Sequence, residues 1–280
     1  MSNKLDIPVD PSAVKSSNIQ VSNVMKDEFG FDIPVETVPL PSRGIIYPTG
    51  SGLSNQETLD IKPMTAKEED ILTSRAYIKQ GTVLSELIKS CLVNKSIDPN
   101  KLISGDRNAL LVALRITGYG SEYEVEIDCP ECSARNKTSF DLSKLKIKRL
   151  EVAPYSSGEN LFEIVLPVSK KSVKVKFLTG DDEIEMMITD ERKKKAGLVT
   201  NSAITDRLTR NIVEIENIKD KNKIAIFTKN MPVKDSLALR RFLENNEPGI
   251  IMKDWLVCNH CNEQSEVAIP MGATFFWPDV

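Results

Sequence analysis

The run Tyr123-Glu124-Val125-Glu126-Ile127-Asp128-Cys129-Pro130-Glu131-Cys132 alternates apolar and acidic side chains and then closes on a C-x-x-C pair. A period of two is the mark of a strand with one buried face, so the segment reads as a strand that delivers a cysteine knuckle. The same frame returns at Trp255-Leu256-Val257-Cys258-Asn259-His260-Cys261. Each knuckle is followed by a second apolar segment, Phe140 and Leu142 in one case, Val267 and Ile269 in the other. A C-x-x-C turn sets two thiolates on one side of a tight bend. Two such bends face to face form the tetrahedral four-sulfur site that zinc prefers, with sulfur at about 2.3 Å. Cys129, Cys132, Cys258 and Cys261 are therefore the candidate ligands of a zinc ribbon whose halves lie far apart in the chain. Four thiolates close the coordination sphere and leave no position for water, which makes the expected zinc structural. His260, between two ligands, reads as a solvated knuckle side chain.

Two features depart from the usual ribbon. Knuckles are more often within about 15–20 residues of each other. Ser133 and Asn262 stand where a glycine often follows the second cysteine, and of the two only asparagine adopts a left-handed backbone easily. The other readings are a redox dithiol or four unrelated buried thiols; the matched strand, knuckle and strand frames argue against both. A zinc here would clip the middle of the chain to its C-terminal part, and its removal is expected to loosen the C-terminal half.

Outward from the knuckles, the 280-residue chain carries 37 basic and 40 acidic side chains, a net charge of -3. That balance excludes a protein held on DNA by bulk charge alone, while leaving room for a local basic patch. Apolar runs such as Ala109–Leu114 fall far short of the roughly 18 residues a membrane span needs. The N-terminus lacks the basic and apolar regions of a secretory signal, so the expected compartment is a cytoplasm, where cysteines are reduced. A single histidine removes most acid–base and triad chemistry near neutrality. No phosphate-binding loop, H-E-x-x-H or G-x-S-x-G occurs, and Gly118-Tyr119-Gly120 lacks the third glycine of a dinucleotide loop.

Residues 1–42 contain Pro8, Pro11, Pro34, Pro39 and Pro41 and no sustained period, which predicts an extended proline-rich arm. Its cluster Phe29, Phe31, Ile33 and Val35 is too apolar for a tether and suits contact with a partner or with the protein's own surface. Residues 43–120 read as mainly helical. Thr65-Ala66-Lys67-Glu68 has the capping-box form and opens a helix to about Lys79. Val83, Leu84, Leu87, Ile88, Cys91 and Leu92 follow at helical spacing, with Cys91 on a buried stripe. Asp106 is placed to cap a third helix through Ile116. Residues 121–149 form the first half of the ribbon and residues 250–280 the second, with the aromatic tail Phe275-Phe276-Trp277. That tail either caps the ribbon core or anchors a partner.

Between them, residues 150–249 form a mixed α/β insertion. It holds a hairpin joining 161–166 to 173–177, a helix from Thr179 into Arg192–Lys195, a helix over 203–215, a short strand at Ile224 and Ile226, and a helix after Pro232. Lysines alternate with apolar residues in Lys144–Arg149, as in Lys174 and Lys176, which suits either the wet face of an edge strand or contact with phosphate.

Several of these strings together resemble a family of baseplate proteins from T-even-like contractile-tailed phages. They are Leu40-Pro41-Ser42-Arg43-Gly44 with Tyr47-Pro48, Gly105-Asp106-Arg107-Asn108-Ala109-Leu110-Leu111 leading to Arg115 and Tyr119-Gly120, the two knuckles, Leu178-Thr179-Gly180-Asp181, and Phe275-Phe276-Trp277-Pro278. The resemblance spans roughly residues 40–280. It implies a non-enzymatic hub subunit or hub-assembly factor of the tail baseplate, found in the host cytoplasm during assembly and in the virion tail. Its partners would be other baseplate proteins, reached through the N-terminal arm and the aromatic tail, and not small molecules, membrane or nucleic acid. No catalytic residue is carried over. The expected fold class is α+β: a helical N-terminal unit plus a split four-cysteine zinc ribbon with a mixed α/β insertion between its knuckles. The alternative is a zinc-ribbon nucleic-acid-binding protein acting through Lys144–Arg149, Lys170–Lys176 and Arg192–Lys195.

Overall fold

A computed structural model describes residues 21–26, 29–197, 202–271 and 275–276, the side chains of residues 21–23 excepted. Residues 1–20 of the expected arm and the end of the aromatic tail, 277–280, lie outside the described residues. Strand β1 (Val21–Lys26) pairs antiparallel with β2 (Asp32–Pro39), which pairs antiparallel with β3 (Thr58–Ile61). The second half of the proline-rich segment is strand and is built into the body: Val35, Val38 and Leu40 are buried. Its prolines fit because β2 is staggered. Residues 32–36 have β1 as partner and residues 36–39 have β3, so only Glu36 is flanked on both sides. Pro34 and Pro39 each keep one edge without a ladder to feed, the condition under which a strand accepts proline.

Glu36 is nearly buried at that crossing, and its Oε1 has no hydrogen-bond partner. Burial raises its pKa from the ordinary 4.5 to about 7. A carboxyl raised in the fold stabilises while protonated; that contribution is complete below 4.5 and is lost as pH climbs through 7. The urea midpoint is therefore expected to fall between pH 5 and pH 8. Glu36→Gln should flatten the profile and stabilise the protein at pH 8. An unchanged slope in the variant would clear Glu36 of the effect.

The helical unit follows with α1 (Ala66–Thr73), α2 (Arg75–Gln80), α3 (Val83–Cys91) and α4 (Ser104–Tyr119). The capping box forms as expected. Burial would push Glu68 up, but bonds from Ser90 and Thr65 and the charge of Lys62 hold it at about 2. The single helix expected to Lys79 is two, because Ser74 is extended (φ -65°, ψ 109°) and starts a new axis.

Helix α4 is buried almost all round from Gly105 to Arg115, the pattern of a central helix. It begins before Asp106, so that residue is not the expected cap. The Asp106 carboxylate is fully buried and accepts from Ser42 N (2.9 Å), Ser42 Oγ (2.5 Å) and Tyr47 Oη (2.5 Å). Tyr47 Oη in turn accepts from Ile103 N at 3.1 Å. Burial pushes Asp106 up against the pull of these donors and of Arg149. The strap over residues 40–47 needs Gly44, at φ +70°, because a Cβ there would stand 2.4 Å from Gln56 N.

From α4 the chain enters β4 (Glu122–Asp128) and β5 (Arg135–Asp141), an antiparallel hairpin with the first knuckle at its tip. Of the expected strand over residues 143–149 only β6 (Ile147–Lys148) forms. Asp141 accepts from Ser143 N (3.0 Å) and folds Leu142–Lys144 into a 3-10 turn. The insertion contains β7 (Phe162–Val165) and β8 (Ser172–Val175), then α5 (Gly180–Lys195) with its Thr179–Asp182 capping box, and α6 (Ala203–Asn211). The helix expected through 215 stops at Asn211, since Ile212-Val213-Glu214-Ile215 is β9 (Ile212–Ile215) and pairs with β8.

Where a strand was expected at Ile224 and Ile226 there is α7 (Lys221–Asn230). Asp220 caps it by accepting from Lys223 N (2.9 Å), and Ile224 and Thr228 are buried one turn apart while Ile226 is exposed. Helix α8 (Val233–Asn246) leads to β10 (Gly249–Ile250), paired with β6, and to the second hairpin, β11 (Lys253–Val257) and β12 (Gln264–Ala268). A Cβ on Gly105 would come within 1.8 Å of the Pro248 carbonyl, so α4 presses directly on the chain that introduces this hairpin. One continuous apolar core joins the helical unit, the insertion and both hairpins in a mixed α+β fold.

Candidate metal centre

Both hairpins end in the same turn. Cys129 N donates to Ala134 O (2.9 Å) and Ser133 N to Cys129 O (2.8 Å); Cys258 N donates to Glu263 O (3.0 Å) and Asn262 N to Cys258 O (3.0 Å). Ser133 and Asn262 occupy the left-handed region at φ 57° and 58°, so the missing glycines change the residue and not the shape. The hairpins bring the knuckles together across the sequence. Cys129 Sγ lies 3.8 Å from Cys261 Sγ, Cys132 Sγ lies 3.6 Å from Cys258 Sγ, and all four sulfurs lie within 4.8 Å of one another. A tetrahedron with sulfur at about 2.3 Å from its centre has edges of about 3.8 Å, so the donor set fits a metal ion of that size. Cys129 and Cys258 are buried, while Cys132 and Cys261 are exposed. The side chain of His260 is not among the clustered donors; its backbone N–H points at Cys258 Sγ (3.4 Å).

The sulfurs do not ionise alike. The backbone amides of Cys261 and His260, with Asn136 behind them, hold the Cys258 thiol down to about 6. The backbone of Glu263 pulls Cys261 down, but desolvation and the three neighbouring sulfurs outweigh it and push that thiol up to about 12. The first thiolate forms readily and the last resists without a cation among them.

One residue of the site was missed in the sequence. Asn136, nearly fully buried, donates from Nδ2 to Ala134 O (2.8 Å) and Cys258 Sγ (3.5 Å), and its Oδ1 accepts from Asn259 N (2.9 Å). Its signal was a polar residue on the inward face of β5, in phase with the buried Phe140.

Behind the knuckles the ribbon is closed by aromatic packing. Phe275 meets Tyr123 edge-on at 5.3 Å and Phe276 at 5.1 Å, and Tyr123 Oη donates to Pro270 O (3.0 Å). Both phenylalanines are buried, so this part of the tail caps the core and is not a free anchor. Arg115 of α4 lies over the ring of Tyr123 at 5.9 Å and spans Gly120 O and Glu122 O, fixing the ribbon to the central helix.

Part of each of the first two basic runs, and two lysines of the third, are engaged with the protein's own groups. Lys144 pairs with Asp141, Lys148 reaches Glu244 O and Arg149 reaches Leu40 O. Lys174 pairs with Glu214, Lys176 with Asp182, Lys193 with Asp206 and Lys195 with Glu191. The five lysines paired with carboxylates would release few counterions from a nucleic acid, which weakens the case for phosphate binding through these runs. Among the described residues no helix is long and apolar enough to cross a membrane.

Comparison with known proteins gives one family. The profile described as T4 bacteriophage base plate protein matches residues 47–277. Searches of curated proteins and of solved structures returned no match.

Proposed function

The chain belongs to the T4 bacteriophage base plate protein family, a structural component of the phage tail that interacts with other tail proteins, and from that premise we propose that it serves the hub of the baseplate as a non-enzymatic subunit or assembly factor. The family match over most of the folded body supports the baseplate part of this reading. Cys129, Cys132, Cys258 and Cys261 would hold a structural zinc, for which four soft thiolates in a closed tetrahedral set are the preferred donors. The ion would supply no chemistry beyond holding the two hairpins together.

Docking is assigned to the outer end of the β1–β2 hairpin. Val24, Met25, Phe29 and Phe31 are all exposed there, the last two at 82% and 70% with their rings 6.4 Å apart, an apolar concentration of the kind that marks contact surfaces. The buried tail phenylalanines leave the hairpin as the better candidate contact. Removing residues 1–38 would not separate docking from folding, because Val35 and Val38 belong to the core. Phe29→Ser/Phe31→Ser leaves that core intact.

The test is quantitative mass spectrometry of purified particles of the source phage, with this chain counted against a protein of known copy number. A stoichiometric count supports a hub subunit; presence in infected lysate but absence from particles supports an assembly factor. The double serine variant is expected to remain soluble and folded and to lose at least tenfold in incorporation or in complex formation in lysate. Normal assembly by the variant would overturn the docking assignment.

A further inference from the structure

We infer that Asn136 is the positioning residue of the split metal site, the side chain that locks the second knuckle onto the first so that the four sulfurs meet. The inference rests on the reading of the four cysteines as a zinc site and goes beyond it by naming what aligns the halves. Three observations carry it. Asn136 belongs to the first hairpin, yet it bonds the backbone of its own knuckle through Ala134 O, the backbone of the opposite knuckle through Asn259 N, and one candidate ligand through Cys258 Sγ. It is 2% exposed, so these bonds face no competition from bulk water. The arrangement is also one-sided. The corresponding position of the second hairpin, seven residues beyond its first cysteine, is Ser265, and no bond from its side chain to either knuckle is present among the described residues.

The physical reasoning is that of outer-shell groups in metal sites. A ribbon with its knuckles close in sequence is aligned by the short chain between them. Here residues 133–257 intervene, and their tether fixes the facing of the knuckles only loosely. A carboxamide answers this because it donates and accepts in one plane. Its N–H fixes the orientation of a ligating sulfur while its oxygen fixes the backbone of the partner turn. Loss of such a group typically costs 10- to 100-fold in metal affinity.

The experiment uses the full chain, stripped of metal and titrated with Zn(II) in competition with a chromophoric chelator, and separately with Co(II) while the thiolate and d–d bands are recorded. Asn136→Ala is expected to weaken zinc binding 10- to 100-fold and to shift the Co(II) bands, whereas Ser265→Ala changes neither. Asn136→Asp fills the same space and keeps an oxygen for Asn259 N–H, but it replaces the donor at Cys258 with a second oxygen. It should weaken binding at least as much, and it serves as the readout if the alanine variant does not fold. Wild-type protein that binds neither ion would overturn the zinc reading itself. Wild-type binding with unchanged affinity and spectrum in the Asn136 variants would overturn the positioning role and leave the zinc reading standing. A purely structural asparagine would lower thermal stability without moving the cobalt bands.

Discussion

With the proposed zinc on the four cysteines, a strong chelator is expected to lower the unfolding midpoint by on the order of 10 °C and to raise amide exchange in the two hairpins, residues 122–141 and 253–268, while α4 stays protected. The size follows from mass action. An ion present at a thousand times its dissociation constant stabilises by about 4 kcal/mol, and for a chain of this order each kcal/mol moves the midpoint by about 2–4 °C. The locality follows from the packing. The knuckles sit at the hairpin tips, but the bases of those hairpins are held by Tyr123, Phe275 and Phe276 and by Arg115 of the central helix. The insertion has its own sheet and its own ion pairs, Lys174 with Glu214 and Lys176 with Asp182. The loosening of the entire C-terminal half that the sequence suggests is thereby narrowed to the ribbon. Cys258→Ser should reproduce the chelator's effect and make the protein indifferent to further chelation. Zinc near zero in protein purified without chelator, with the four knuckle thiols freely titratable, would remove the metal from the account.

The legible parts of this chain are those whose cause is local. Alternation in β4, the repeated C-x-x-C frame, the Thr65 capping box and the start of a helix at Thr179 depend on neighbours a few residues away. The sequence therefore exposes them. The pairing of two knuckles so far apart was legible for a different reason: thiolates in such a frame have few uses, and the chemistry supplies the contact that proximity does not.

Most of what failed was decided by distant partners, although the Asp220 cap of α7 is a local signal. Ile224, Ile226 and Thr228 satisfy a period of two, yet the core lies one helical turn apart, on Ile224 and Thr228, and Asp220 starts the helix. The prolines of the arm suggested an extended segment outside the body, but a stagger between β1 and β3 lets β2 hold them within a sheet. Asn136 looked like an ordinary strand residue because its partners, Cys258 and Asn259, lie more than a hundred residues away. Asp106 has the residue type of a helix cap, and only Ser42 and Tyr47 reveal that it faces inward.

Asp106→Ala is expected to cost about 3–5 kcal/mol, the largest effect of any single polar substitution in the helical unit, read as a shift in the urea midpoint by far-ultraviolet circular dichroism. The substitution strands the N–H and hydroxyl of Ser42 and the hydroxyl of Tyr47 in the buried interior. Tyr47→Phe removes one donor to Asp106 and also the acceptor of Ile103 N–H, for about 1–3 kcal/mol. The double variant should fall short of the sum, because both changes break the same network. The consequence reaches beyond stability. The strap over residues 40–47 continues directly from β2, whose outer end carries the exposed Phe29 and Phe31. Leu40 O and Pro41 O are bonded by Arg149 and Leu150 at the end of the first ribbon half. Asp106 thus sits where the docking hairpin, the central helix and the ribbon converge, and its loss should release the hairpin from the scaffold that aims it. Milder variants, Tyr47→Phe among them, should remain folded at low temperature and show raised amide exchange in β2 and β3 before any change in the knuckles. An Asp106→Ala protein within about 1 kcal/mol of wild type would mean that the strap is held by its apolar residues Leu40, Ile46 and Leu53 alone.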